Sequence, residues 1–104
     1  MSESRLPRHL KAVESEISRY RETHDPELVR PLLGVIVRYF VPPEADVSDD
    51  TSLEEAFEHA SADSLTMMEI VLDIQEVFEI TIEDSDLPHL KSVDDLVDLI
   101  VSKK

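Results

Sequence analysis

Apolar residues between positions 64 and 78 recur with a helical period on two separate faces, and this double pattern constrains the fold more than any other feature of the chain. At about 100° per residue from Leu65, the side chains of Met67, Ile70, Val71, Ile74, Val77 and Phe78 fall within about 120° to 240°, the width of an ordinary buried stripe. Leu65, Met68 and Leu72 fall at about 0°, 300° and 340°, on the opposite side, where a helix packed by its first stripe meets only solvent. Glu69 and Glu76 flank them at about 40° and 20°. Such a helix needs other helices to cover one face and something outside the monomer to account for the other.

The rest of the chain supplies those helices. Leu6, Leu10, Val13, Ile17 and Tyr20 are spaced by four, three, four and three, which predicts an amphipathic helix from about Pro7 to Thr23. Asp25 caps a second helix and Pro26 takes its first position. That helix runs to about Phe40. Pro31 pushes its regular part to Arg30 or Pro31 and leaves a bent turn in front, and Leu32, Val35, Ile36, Tyr39 and Phe40 form the buried stripe. Val41-Pro42-Pro43 ends it. The segment from there to Ala62 reads as a long loop, with an irregular turn at Leu53 to Phe57 pinned to the core by those two residues. After Ile80 come a turn at Thr81 to Ser85, a short helix at Asp86 to Leu90, and a last helix opened by Ser92. Ser92 and Asp95 have capping-box spacing, and Val93, Leu96, Val97 and Ile100 carry the helical period. No segment alternates as a strand, so the expected fold is all-α: three longer helices and one short one, preceded by an extra amphipathic helix. The expected division is residues 1–24 as an extension and 25–104 as the main domain.

A chain of 104 residues is one domain, long enough to build a core without staples. It contains no cysteine, so a disulfide framework, a zinc–thiolate site and a catalytic thiol are excluded, and any thiol chemistry has to come from an added group. No apolar run approaches the roughly 18 residues of a membrane span, and the start Met1-Ser2-Glu3-Ser4-Arg5 lacks the apolar region of a secretory signal, so the expected compartment is the cytoplasm. The formal charge of −14 repels phosphate backbones and argues against nucleic acid as a partner. Residues 1–40 carry seven Lys or Arg against six Asp or Glu, whereas residues 41–104 carry three against eighteen, so the acidity belongs to the second part. Acidic surfaces mostly serve solubility; next to an exposed apolar patch they also steer partners with basic surfaces.

The residues Asp63-Ser64-Leu65 open the two-faced helix, and with that helix ending in Glu76-Val77-Phe78-Glu79-Ile80, the acidic loop with Pro88 and the last helix, the chain resembles the acyl carrier proteins from about Leu28 to Ile100. The resemblance implies that Ser64 carries a 4′-phosphopantetheine arm, whose thiol holds an acyl group as a thioester, with Asp63 and Leu65 completing the motif. It also implies an acyl-carrier-like helical bundle and a docking face made of Leu65, Met68, Glu69, Leu72 and Glu76. The implied partners are a phosphopantetheinyl transferase, and acyl-loading and condensing enzymes of fatty-acid, lipid or polyketide-type synthesis with basic docking patches. On this reading residues 25–104 are a carrier domain without catalytic activity of its own. The only glycine, Gly34, lies inside a predicted helix, so the approach to Ser64 has to turn without a residue that freely takes positive φ. The stripe of residues 1–24 has to be covered by the chain itself, by weak pairing with a second copy, or by one partner enzyme.

The same residues bear on other chemistries. Ser64 alone reads as an ordinary helix-start serine. A serine hydrolase lacks its Gly-x-Ser-x-Gly elbow and the strand before it, and His59 has nothing nearby to orient it as a base. His9, His24 and His89 sit in separate elements and read as surface residues. The pairs Glu54-Glu55 and Asp94-Asp95 read as solvated or capping groups, and no metal-binding pattern is present. Two functional alternatives stand beside the acyl carrier: an aminoacyl or peptidyl carrier, and an unmodified acidic helical adaptor for a basic partner.

Overall fold

The computed structural model describes residues 7–42, 45, 48 and 50–103. Leu6 and Pro43, which the sequence placed in the first stripe and in the stop after the second helix, lie outside the described residues. Five α-helices carry the fold: α1 Glu14–Thr23, α2 Val29–Tyr39, α3 Leu53–Ser61, α4 Ser64–Phe78 and α5 Val93–Lys103. Three 3₁₀ segments join them, Arg8–Val13, Pro26–Leu28 and Asp84–His89. No strand occurs among the described residues, and the fold is the all-α bundle that the periodicity requires.

The first helix is wound more tightly in its leading half. Leu10 and Val13, three apart, share the 3₁₀ segment, where residues i and i+3 eclipse, and Ile17 and Tyr20 continue the stripe on α1. Leu10, Ile17 and Tyr20 are buried in the same core as the rest of the molecule. The Tyr20 ring meets Phe78 edge-on at 5.1 Å. Among the described residues, the stripe is therefore covered within the chain at Leu10, Ile17 and Tyr20, while Val13 is half-buried.

The Asp25 side chain accepts from the Glu27 backbone N–H, and the bent turn before α2 is the 3₁₀ segment Pro26–Leu28. Pro31 then sits in the first turn of α2, where the missing donor costs nothing. The buried stripe of α2 is Val29, Leu32, Leu33, Ile36 and Val37. Tyr39, expected to join it, lies about 100° off its centre and is 59% exposed.

The largest correction falls between α2 and α4. In place of an irregular turn there is a regular helix, α3, buried through Ala56, Phe57 and Ala60. The Ser52 hydroxyl caps it by accepting from the Glu55 backbone N–H at 3.2 Å. The Glu54 carboxylate accepts from the Val93 backbone N–H at 3.1 Å and so ties α3 to the start of α5. Ser92 and Asp95 form the predicted capping box, each side chain accepting the other's backbone N–H at 3.1 Å. Asp94 pairs with Arg30 across the bundle.

Candidate prosthetic-group site and docking face

The two ends of α4 are built differently. At its start the cap is Asp63, extended at φ −96° and ψ 122°, with its carboxylate accepting from the Leu65 backbone N–H at 2.9 Å. Ser64 is the first helical residue and is exposed. The fold therefore does not need the Ser64 hydroxyl as a cap, which removes the ordinary explanation for a serine at this position. The approach needs no glycine: Ala62 is right-handed helical, and the only non-glycine residues at positive φ among the described ones are His24 and Glu79. At its far end α4 stops at Glu79, whose left-handed conformation closes the last turn. Arg21, from α1, donates to the carbonyls of Glu76 at 2.6 Å and Val77 at 3.2 Å and lies 3.6 Å from the Glu79 carboxylate. A cation there complements the negative end of the helix.

Between those ends the two faces separate as the spacing predicts. Ile70, Val71, Ile74, Val77 and Phe78 are buried, while Leu65, Met68 and Leu72 are 69%, 44% and 60% exposed. Glu69 and Glu76 are exposed beside them. Met67, placed in the core by its phase, is half-buried and lines a cleft of about 490 Å³ next to Ser64. Leu65, Met68, Leu87 and Leu90 supply most of the apolar lining of this cleft, and Ser61 and Lys91 also line it. The exposed Ser64 thus stands between the Asp63 carboxylate, which occupies the Leu65 N–H, and a mainly apolar cleft.

Two residues of this helix region were not anticipated. Asp73 is buried to 8% exposure, and His9, read as a surface residue, lies with Nε2 2.8 Å from Asp73 Oδ2. The His9 ring stacks on Tyr39 at 3.7 Å, within 5° of parallel, and meets Phe40 edge-on. Burial pushes the Asp73 carboxyl above its usual range; the hydrogen bond and charge of His9 oppose this, and Glu69 and Glu76 reinforce it. His24 and His89 are exposed as expected. His59 is half-buried on α3.

The family described as "Phosphopantetheine attachment site" matches residues 28–100. An acyl carrier protein of an Exiguobacterium species is 43% identical over 58 residues, covering 56% of this chain and 73% of the relative. One from Syntrophobacter fumaroxidans is 31% identical over 78 residues, covering 75% of this chain and 84% of the relative. No solved structure matches. The chain belongs to the acyl carrier protein family, and its prosthetic group is 4′-phosphopantetheine. No helix of the described residues is long and apolar enough to cross a membrane.

Proposed function

We propose that this chain is a non-catalytic acyl carrier of the cytoplasm, that Ser64 bears the 4′-phosphopantetheine arm, and that the arm presents acyl groups to the enzymes of fatty-acid, lipid or polyketide-type synthesis. The observation that carries this reading is the helix start: Asp63 takes the cap and leaves the Ser64 hydroxyl exposed at the positive end of α4. The arm, when attached, supplies a thiol that holds the cargo as a thioester, chemistry that a chain without cysteine does not have. Ser64 anchors it, Asp63 fixes the backbone beneath it, and the first-turn N–H groups of α4 favour its phosphate. The mainly apolar lining of the cleft, with Met67, Leu87 and Leu90 among its residues, favours acyl cargo over aminoacyl cargo, because it offers an alkyl chain burial. Leu65, Met68 and Leu72 with Glu69 and Glu76 form the docking face for the transferase and for acyl-loading and condensing enzymes.

Incubation of the full chain with coenzyme A and a broad-specificity phosphopantetheinyl transferase, followed by intact-mass measurement, tests the anchor. The wild type should gain a single arm. Ser64→Ala should gain none while keeping its helical circular dichroism. Loading of Ser64→Ala would place the anchor elsewhere, and refusal of the wild type by several transferases would favour an unmodified adaptor.

A further inference from the structure

Tyr39 is a large aromatic side chain held in the open at the end of α2, and its surroundings connect it to the docking face. One face of its ring is covered by His9, yet the residue remains 59% exposed. His9 in turn holds Asp73 on α4, and Asp73 is close enough to Glu69 and Glu76 to feel both charges. Three elements thus meet in one row: the end of α2, the 3₁₀ segment of the extension, and the acidic edge of α4. The His9–Asp73 hydrogen bond thus links the aromatic ring to the helix that carries the two exposed carboxylates.

We propose that the docking face continues past α4 onto Tyr39, which serves as a stacking platform for an arginine on the rim of the enzyme that acts at Ser64. This rests on the carrier reading above. Arginine is the side chain that fits both parts of the surface, since a guanidinium stacks on an aromatic face and pairs with carboxylates such as Glu69 and Glu76. Reach is adequate: Asp73 lies nine residues beyond Ser64, about 13.5 Å along the helix, while an interface of ordinary size covers about 800 Å² on each partner, a patch roughly 30 Å across. An enzyme centred near Ser64 and lying along α4 therefore reaches the level of Asp73, and Tyr39 is stacked on the His9 ring bound there. His9 is a positioning residue here, bracing the ring from beneath. The N-terminal extension thereby acquires a role in recognition that residues 25–104 alone would not supply.

The test uses the full-length protein without its arm, coenzyme A and a broad-specificity phosphopantetheinyl transferase at low salt, with KM for the protein substrate and kcat measured separately. Tyr39→Ala and Tyr39→Leu should each raise KM at least about threefold with kcat little changed, as expected for loss of one cation–π contact. Tyr39→Phe should stay near the wild type, because the ring and not the hydroxyl is read. Thermal midpoints, measured in parallel, should show all three variants folded at the assay temperature, with Tyr39→Phe nearest the wild type because it keeps the stack on His9. If KM for Tyr39→Ala and Tyr39→Leu rises less than threefold while Leu72→Ala raises it, docking ends at α4 and the proposal is wrong, but the carrier reading stands. A Tyr39→Phe protein as poor as Tyr39→Ala would likewise overturn the stacking role. Failure to load the wild type with several transferases would remove the carrier reading and this proposal with it.

Discussion

Single residues at the start of α4 divide the work between holding the helix and leaving a hydroxyl exposed. The motif Asp63-Ser64-Leu65 was legible in the sequence, and so was the exposure of Leu65, Met68 and Leu72, because helical phase alone sets them opposite the core. The pairing of His9 with Asp73 was not legible. The two are 64 positions apart, and nothing local to either marks it for burial. Asp73 carries a pH signature whose sign can be worked out. Its folded pKa is raised above the unfolded value near 3.8, so its contribution to stability is fully present below that value and is lost as pH rises through the folded one. The stability of the wild type minus that of Asp73→Asn, read from urea unfolding at a series of pH values, should therefore fall as pH rises from about 3.8. A difference that grows over the same range would mean that the attraction of His9 outweighs the burial of the carboxylate.

At the scale of elements, the apolar spacing gave the right places for the helices wherever a stripe was long enough to show its period, and failed for α3. That helix is nine residues long and buries two alanines and one phenylalanine, too short an apolar record to stand out between prolines and acidic residues. Its capping pair Ser52 and Glu55 was nonetheless present in the sequence at the spacing that announces a helix start. Gly34 offers a second test at this scale. It sits mid-helix in α2, and a Cβ added there meets nothing within 4 Å. Gly34→Ala should raise stability by about 0.5–1 kcal/mol through lower backbone entropy in the unfolded chain. Chemical denaturation at fixed pH reads this directly, and a loss of stability would mean that the open space beside α2 is needed by another part of the chain. On α4, the buried Ile74→Ala should cost about 2–5 kcal/mol, while the exposed Leu72→Ala should cost little stability and weaken transfer to partners.

The acidity of the whole molecule is uneven, and this bears on how partners find it. Reversing Glu69 and Glu76 to lysine should slow arm transfer more than reversing Glu22 and Asp98, two exposed acidic residues on α1 and α5. The difference should shrink toward 1 M salt, where the Debye length is about 3 Å. Equal slowing by the two pairs would assign association to bulk charge and not to a face of α4.

The last whole-molecule question is what residues 1–24 are for. The family match covers residues 28–100 and leaves the extension outside it. Yet the extension buries Leu10, Ile17 and Tyr20 in the common core, and its Arg21 closes the end of α4. Each large apolar side chain of this kind is worth about 1.5–3 kcal/mol when fully buried, so removal should lower stability well beyond a surface change and uncover Phe78, against which Tyr20 packs. Deletion of residues 1–24 should therefore give a protein that still accepts the arm at Ser64, melts at a lower temperature and self-associates in sedimentation, because an apolar strip on α4 and its neighbours is left bare. The full chain, with that strip covered internally, should sediment as a monomer. A truncated protein that is unfolded and cannot be loaded would make the extension part of the fold itself. One that keeps its melting temperature and its monomeric state would mean that the buried stripe contributes little, leaving recognition by a partner as the reason the chain carries it.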